Sequence, residues 1–154
     1  MILVDADACP VKDEIYRVAR RTGTAVRIVA NAWFRVPAEP LIEQVVVGNG
    51  FDAADDWIAA RASPDTIVVT GDILLAHRCV YAGATVIAHT GRPFTAANIG
   101  GAVAARALAE DTRAMSWAGD AARGARGPAP FTPADRSRFL QALDAAVQRL
   151  QRGR

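Results

Sequence analysis

Only two cysteines occur in the 154 residues, Cys9 and Cys79. They are too few for a disulfide framework and are not spaced as a C-x-x-C pair, so they read as reduced thiols. Cys9 precedes an expected helix N-terminus, where a thiol pKa can fall; the alternative is a small residue filling a tight turn. Lysine is scarcer still, with Lys12 alone. His77 and His89 are isolated, so no histidine cluster is available to a soft or borderline metal. No run approaches the roughly 18 apolar residues of a membrane span, and no membrane partner is expected. The chain enters a strand-like run at Ile2 without a basic leader or cleavage site, so the expected location is the cytoplasm. No G-x-x-x-x-G-K-[ST] loop is present, and Ser63, Ser116 and Ser137 lie in poor contexts for a nucleophile elbow.

What remains is an ordinary globular composition, 51% hydrophobic and 22% charged. Its length fits a single domain over residues 1–154. The net charge of +2 is unevenly spread. Residues 1–90 carry 8 basic and 11 acidic groups, and residues 91–154 carry 10 and 5. Every base in the second segment is arginine, whose planar fork matches phosphate. A base-composition bias that writes arginine for lysine explains the same pattern.

Residues 2–4 form a short apolar run ending in Asp5, the mark of a buried strand. Pro10 suits a first helical turn, Val11, Ile15, Val18 and Ala19 recur at helical spacing, and Gly23 is a stop. Further strands are expected at 25–30, 42–47, 66–70 and 85–88, and helices at 53–62 and 73–81, with Asp52 and Asp72 at their N-caps. The alternation implies an α/β fold with a mostly parallel central sheet flanked by helices. No helix separates 25–30 from 42–47, so one connection is irregular or antiparallel. Residues 96–117 read as helix. Within a core of about residues 1–118, this leaves a mobile Arg/Gly/Pro loop over 119–131 and a C-terminal helical extension over about 133–152, opened by Thr132-Pro133 with Asp135.

Ligands of parallel α/β sheets bind outside the carboxyl ends of the strands. There the sequence places Asp5 and Asp7, then Asn31, then Asp52, Asp55 and Asp56, then Thr70 and Asp72, and last His89. Converging carboxylates repel one another, and a hard divalent ion, Mg²⁺ or Mn²⁺, is the simplest compensation. Such an ion supports phosphodiester hydrolysis. Each residue has a plainer role: Asp52, Asp72 and Asp7 as caps, Asp55 and Asp56 as a solvated helix face. Asp13 and Glu14 are expected on a solvated surface. Trp33, Trp57 and Trp117 are expected in the core or at an interface, which leaves a homodimer open.

Three stretches, ILVDADACP (residues 2–10), FDAADDWI (51–58) and TGDILLA (70–76), resemble those of the YaiI/YqxD family of small bacterial proteins. Asn31, Arg35-Val36-Pro37 and residues 127–131 with Asp135-Arg136 fit as well, so the resemblance covers nearly the whole chain. That family is grouped with PIN-like domains, metal-dependent nucleases on a small parallel sheet. The resemblance implies that Asp5 and Asp72 are strand-end metal carboxylates, and that Asp55 or Asp56 is the central acid. Asp7 is an extra carboxylate that orients a water. No unambiguous fourth acid follows Asp72, since Glu110 and Asp111 are distant. The implied activity is nucleic-acid hydrolysis, RNA ahead of DNA, with catalytic Asp5, Asp7, Asp55 and Asp72 and metal ligands among Asp5, Asp55, Asp56 and Asp72. Asn31, Arg35, Thr70, Arg123, Arg126 and Arg136 are candidates to touch the substrate.

Two alternatives stay open. Asp-x-Asp after an apolar strand also opens haloacid-dehalogenase-type phosphatases, with Asp5 as nucleophile. Those need a late lysine that the chain lacks, unless Arg78 or Arg92 substitutes. A non-catalytic module could instead hold nucleic acid or a protein through Arg123, Arg126, Arg136 and Arg138, with salt-dependent affinity.

Overall fold

The computed structural model describes residues 1–116 and 130–153. Five strands run parallel: β1 (Ile2–Asp5), β2 (Val26–Ala30), β3 (Ile42–Val46), β4 (Ile67–Val69) and β5 (Thr85–Ile87). The sixth, β6 (Pro93–Phe94), pairs antiparallel with β5, and the order is β3-β2-β1-β4-β5-β6. The five helices are α1 (Lys12–Thr22), α2 (Ala53–Arg61), α3 (Ile73–Tyr81), α4 (Ile99–Ser116) and α5 (Pro133–Arg152).

Helices cover both faces, so strand side chains of both parities are apolar. Ile2, Val4, Val26, Ile28, Ile67 and Val69 point to the face packed by Ile15 and Val18 of α1 and Phe139, Leu143 and Val147 of α5. Leu3, Val29, Val68 and Val86 point to the opposite face, against Ile58 of α2, Leu75 and Cys79 of α3, and Ile99 of α4. Register follows directly, because slipping a strand by one residue would exchange the two cores. Phe139 is fully buried, so the C-terminal helix is one of the walls of the main core. Its start is a capping box: Thr132 Oγ1 accepts from the Asp135 N–H, and the Asp135 carboxylate accepts from the Thr132 N–H.

Several expectations change. The irregular connection exists, but β3 lies parallel to β2, with Val26 opposite Ile42. Residues 31–41, stiffened by Pro37 and Pro40, return the chain along a five-residue strand without a helix. The antiparallel strand is instead β6, a two-residue element containing proline that leaves no periodic signal. Glu14 is buried, and its carboxylate pairs with Arg136 at 2.8 Å, tying α1 to α5. Cys9 is buried too, and burial pushes its thiol pKa up. Trp33 is 76% exposed, whereas Trp57 packs partly buried under Arg61. Trp117 and the loop expected at 119–131 lie outside the described residues, apart from Pro130 and Phe131.

After β1 the chain moves outward through β2 to β3, then returns to lay β4 on the other side of β1. The carboxyl ends of β1 and β4 therefore form the topological switch point, where neighbouring connections diverge and leave a crevice. No helix among the described residues is long and apolar enough to cross a membrane.

Candidate active site

A cleft of about 750 Å³ opens at that switch point. Asp5, Asp7, Asp52, Asp55 and Asp72 line it, together with Asn31, His89, Arg78 and Arg106. Its floor is built by β1 and β4. Asp5 ends β1 with only 8% of its surface exposed. Its Oδ2 accepts the Thr70 hydroxyl at 3.0 Å, and its Oδ1 accepts a longer bond from the Asp7 N–H at 3.4 Å. Burial raises the Asp5 pKa, the Thr70 and Asp7 hydrogen bonds oppose the rise, and the Asp7 and Asp72 charges add to it.

Thr70 is fully buried and joins the two strand-end acids. Its hydroxyl donates to Asp5 and accepts the Asp72 N–H at 3.0 Å, which leaves it one orientation. Asp72 then caps α3, its Oδ1 accepting from the N–H groups of Leu74 and Leu75 at 2.9 and 3.2 Å. Its Oδ2 has no protein partner among the described residues. The capping role and a role in the cleft are thus compatible, one oxygen serving each. Asp52 occupies the N-cap position of α2 without any side-chain capping bond. Asp7 does not cap α1, whose N-cap is Val11.

Helical geometry separates Asp55 from Asp56. Adjacent residues diverge by about 100° around a helix. Asp55 faces the cleft, while Asp56 is exposed and holds Arg78 at 2.8 Å. The Asp55 carboxylate has no hydrogen bond or ion pair among the described residues. Its pKa is raised from 3.8 to about 6, first by desolvation, then by repulsion from Asp72, Asp5 and Asp52, with Arg78 opposing. A carboxylate in the first turn of a helix would ordinarily be favoured by the dipole. Here burial, and then the surrounding acids, outweigh that.

Ala8, also on the cleft wall, has φ +48°, a left-handed conformation unusual for a residue with a side chain and one that concentrates at functional sites. Burial, with the Lys12 charge behind it, lowers the His89 pKa, and the buried Nε2 has no partner. Its ring lies against Gly71, where a Cβ would meet ring atoms at 3.4 Å. Phe51 is fully exposed at the cleft edge.

Asn31 lines the cleft. Arg35 is exposed on the 31–41 link and does not line it. Arg136 holds Glu14 and the Pro10 carbonyl, lies 5.1 Å over the Phe131 ring, and does not line the cleft. Arg123 and Arg126 lie outside the described residues. Asp52, placed by sequence among the strand-end acids, lines the cleft as well; Arg106 and Phe51 are cleft residues that reading the sequence for sites left unassigned, and Arg106 sits mid-helix in α4 without a motif. Among the described residues no group of three His, Cys, Asp or Glu side chains is placed to hold a metal ion by itself.

Comparison with known proteins gives relatives along almost the whole length. A UPF0178 protein of Sphingopyxis alaskensis is 60% identical over 153 residues, 99% of this chain and 96% of the relative. UPF0178 proteins of Rhodopseudomonas palustris strain BisB5 and of Nitrobacter winogradskyi are each 55% identical, over 99% and 98% of this chain and 90% and 92% of theirs. No solved structure matches. Residues 3–149 match the family model described as "Uncharacterized BCR, YaiI/YqxD family", and the chain belongs to that family.

Proposed function

We propose that the chain is a divalent-cation-dependent phosphodiesterase acting on nucleic acid, with RNA ahead of DNA. The observation that carries this reading is the collection of five carboxylates in one cleft at the switch point, with Asp55 pushed up to about 6 by burial and by the others. Such converging negative charge, offset only in part by Arg78, costs stability and is relieved by a cation.

The donor set suits Mg²⁺ or Mn²⁺, being oxygen throughout. No three side chains among the described residues close on one point; Mg²⁺ retains several waters and takes one or two carboxylates plus substrate phosphate oxygens. Asp5, Asp55 and the spare oxygen of Asp72 would hold it, directly or through waters. When bound, the ion lowers the pKa of a coordinated water and offsets phosphate charge. Thr70 fixes Asp5, and Asp7 orients the attacking water. Arg106 receives a phosphate oxygen, and the exposed Phe51 ring offers a base a stacking surface worth about 1–3 kcal/mol.

This arrangement weighs against a phosphatase nucleophile at Asp5, because that carboxylate is nearly buried and one oxygen is held by Thr70. A non-catalytic binder is the second reading, favoured by the lack of a closed three-residue metal cage among the described residues. End-labelled single-stranded RNA and DNA incubated with Mg²⁺ or Mn²⁺, with p-nitrophenyl phosphate as control, separate the three. Cation-dependent cleavage lost at least roughly 100-fold in Asp5→Asn and Asp72→Asn supports the proposal. RNA binding without cleavage supports the binder, and release of nitrophenol alone supports the phosphatase.

A further inference from the structure

Beside the carboxylate cleft lies a second recess of about 320 Å³. The two share Asp5, Asp7, Asn31 and Ala54 as a common wall. The far side of the recess is made by Lys12, at the start of α1, and Phe34 on the 31–41 link. The Lys12 ammonium sits 4.8 Å from the centre of the Phe34 ring. That contact holds a long side chain in place without neutralising its charge.

Lys12 has no carboxylate partner among the described residues. Glu14, two residues on, is engaged by Arg136 instead. The first turn of α1 carries Asp13 and Glu14, which offset the positive end of its dipole, so the positive charge of the recess is that of Lys12 itself. The only lysine in the chain thus stands as a restrained cation, without an ion-pair partner among the described residues, in a recess continuous with the cleft. Lysine binds phosphate as a point charge, and the Asn31 amide on the shared wall supplies a neutral donor.

We propose that Lys12 and Asn31 form a second phosphate subsite, which takes the phosphate next along the strand from the one at the carboxylates. The inference rests on the phosphodiesterase reading and narrows its substrate to a polynucleotide. A phosphomonoester or a lone diester fills the carboxylate cleft only, whereas a strand fills both.

The test compares wild type, Lys12→Met and Lys12→Arg on a single-stranded RNA dodecamer and on bis(p-nitrophenyl) phosphate, which has one phosphate. Lys12→Met is expected to raise KM for the RNA by roughly five- to tenfold, with kcat within about twofold. The dependence of log KM on log salt becomes shallower by about 0.7, the signature of one lost contact on a single strand. Turnover of bis(p-nitrophenyl) phosphate stays unchanged, and Lys12→Arg restores the RNA KM. Equal losses on both substrates, or an unchanged RNA KM, would overturn the subsite. If wild type hydrolyses neither substrate, the phosphodiesterase reading has failed by itself. The subsite is then judged by fluorescence anisotropy of the labelled dodecamer: weaker binding by Lys12→Met upholds it, and unchanged binding removes it.

Discussion

Replacing Asp55 by asparagine will stabilise the folded chain at pH 8 in metal-free buffer. The folded-state pKa of Asp55 is raised from 3.8 to about 6, so between those values the folded chain binds more protons here than the unfolded chain does. Stability therefore falls as pH rises through that window and stays lowered above it. At about 1.4 kcal/mol per pKa unit, the shift corresponds to about 3 kcal/mol. Asp55 is partly exposed, and solvent screening reduces this to about 1–2 kcal/mol. The opposing effect is the α2 dipole, which favours a first-turn carboxylate by about 0.3–1 kcal/mol, so the net gain survives. Urea denaturation at pH 8 and pH 4.5 in EDTA measures it. The Asp55→Asn variant unfolds at higher urea at pH 8, and the gap shrinks to about a third at pH 4.5, where Asp55 is protonated in the folded wild type. Adding Mn²⁺ closes the gap from the other side, by stabilising wild type. A substituted chain less stable than wild type at pH 8 would refute the reasoning, because it would make Asp55 an ordinary helix-end carboxylate.

Three other substitutions test neighbouring links. Gly91 has φ +86°, and a Cβ there would lie 2.6 Å from the Arg138 carbonyl carbon, so Gly91→Ala will cost about 3 kcal/mol or more in chemical denaturation by forcing the β5–β6 turn off α5. Thr70→Val keeps the shape but strips Asp5 of its donor and the Asp72 N–H of its acceptor; it will cost about 1–3 kcal/mol and move the acidic limb of any pH–rate profile to higher pH. Arg136→Leu leaves Glu14 buried without its partner and will lower stability by about 1–3 kcal/mol, while RNA affinity measured by anisotropy stays as in wild type.

The parallel core was legible because its strands are short apolar runs with an acid or threonine at their ends: Asp5 after residues 2–4, Thr70 after β4. α3 matched its expected bounds because Asp72 and Gly83 mark its ends chemically. β6 was not legible, since its pairing depends on a turn at Gly91 that is held by α5, a contact between distant parts of the chain. The same limit hid the Glu14–Arg136 pair, 122 residues apart. Within the site, strand ends named Asp5, Asp7 and Asp72 directly. Asp55 and Asp56 were indistinguishable by sequence because only the packing of α2 against β1 decides which of two adjacent acids turns inward. Lys12 was visible as a residue, but the recess it lines is closed by Phe34 from another segment.

The most direct test of the central claim is calorimetric titration of Mn²⁺ into wild type, Asp5→Asn and Asp72→Asn at neutral pH. Asparagine caps helices about as well as aspartate, so the Asp72→Asn variant keeps α3 and loses only the charge. Saturable binding by wild type, weakened or abolished by either substitution, is the predicted result. No binding to wild type at millimolar Mn²⁺, or equal binding by all three proteins, would contradict a cation site built from the strand-end carboxylates.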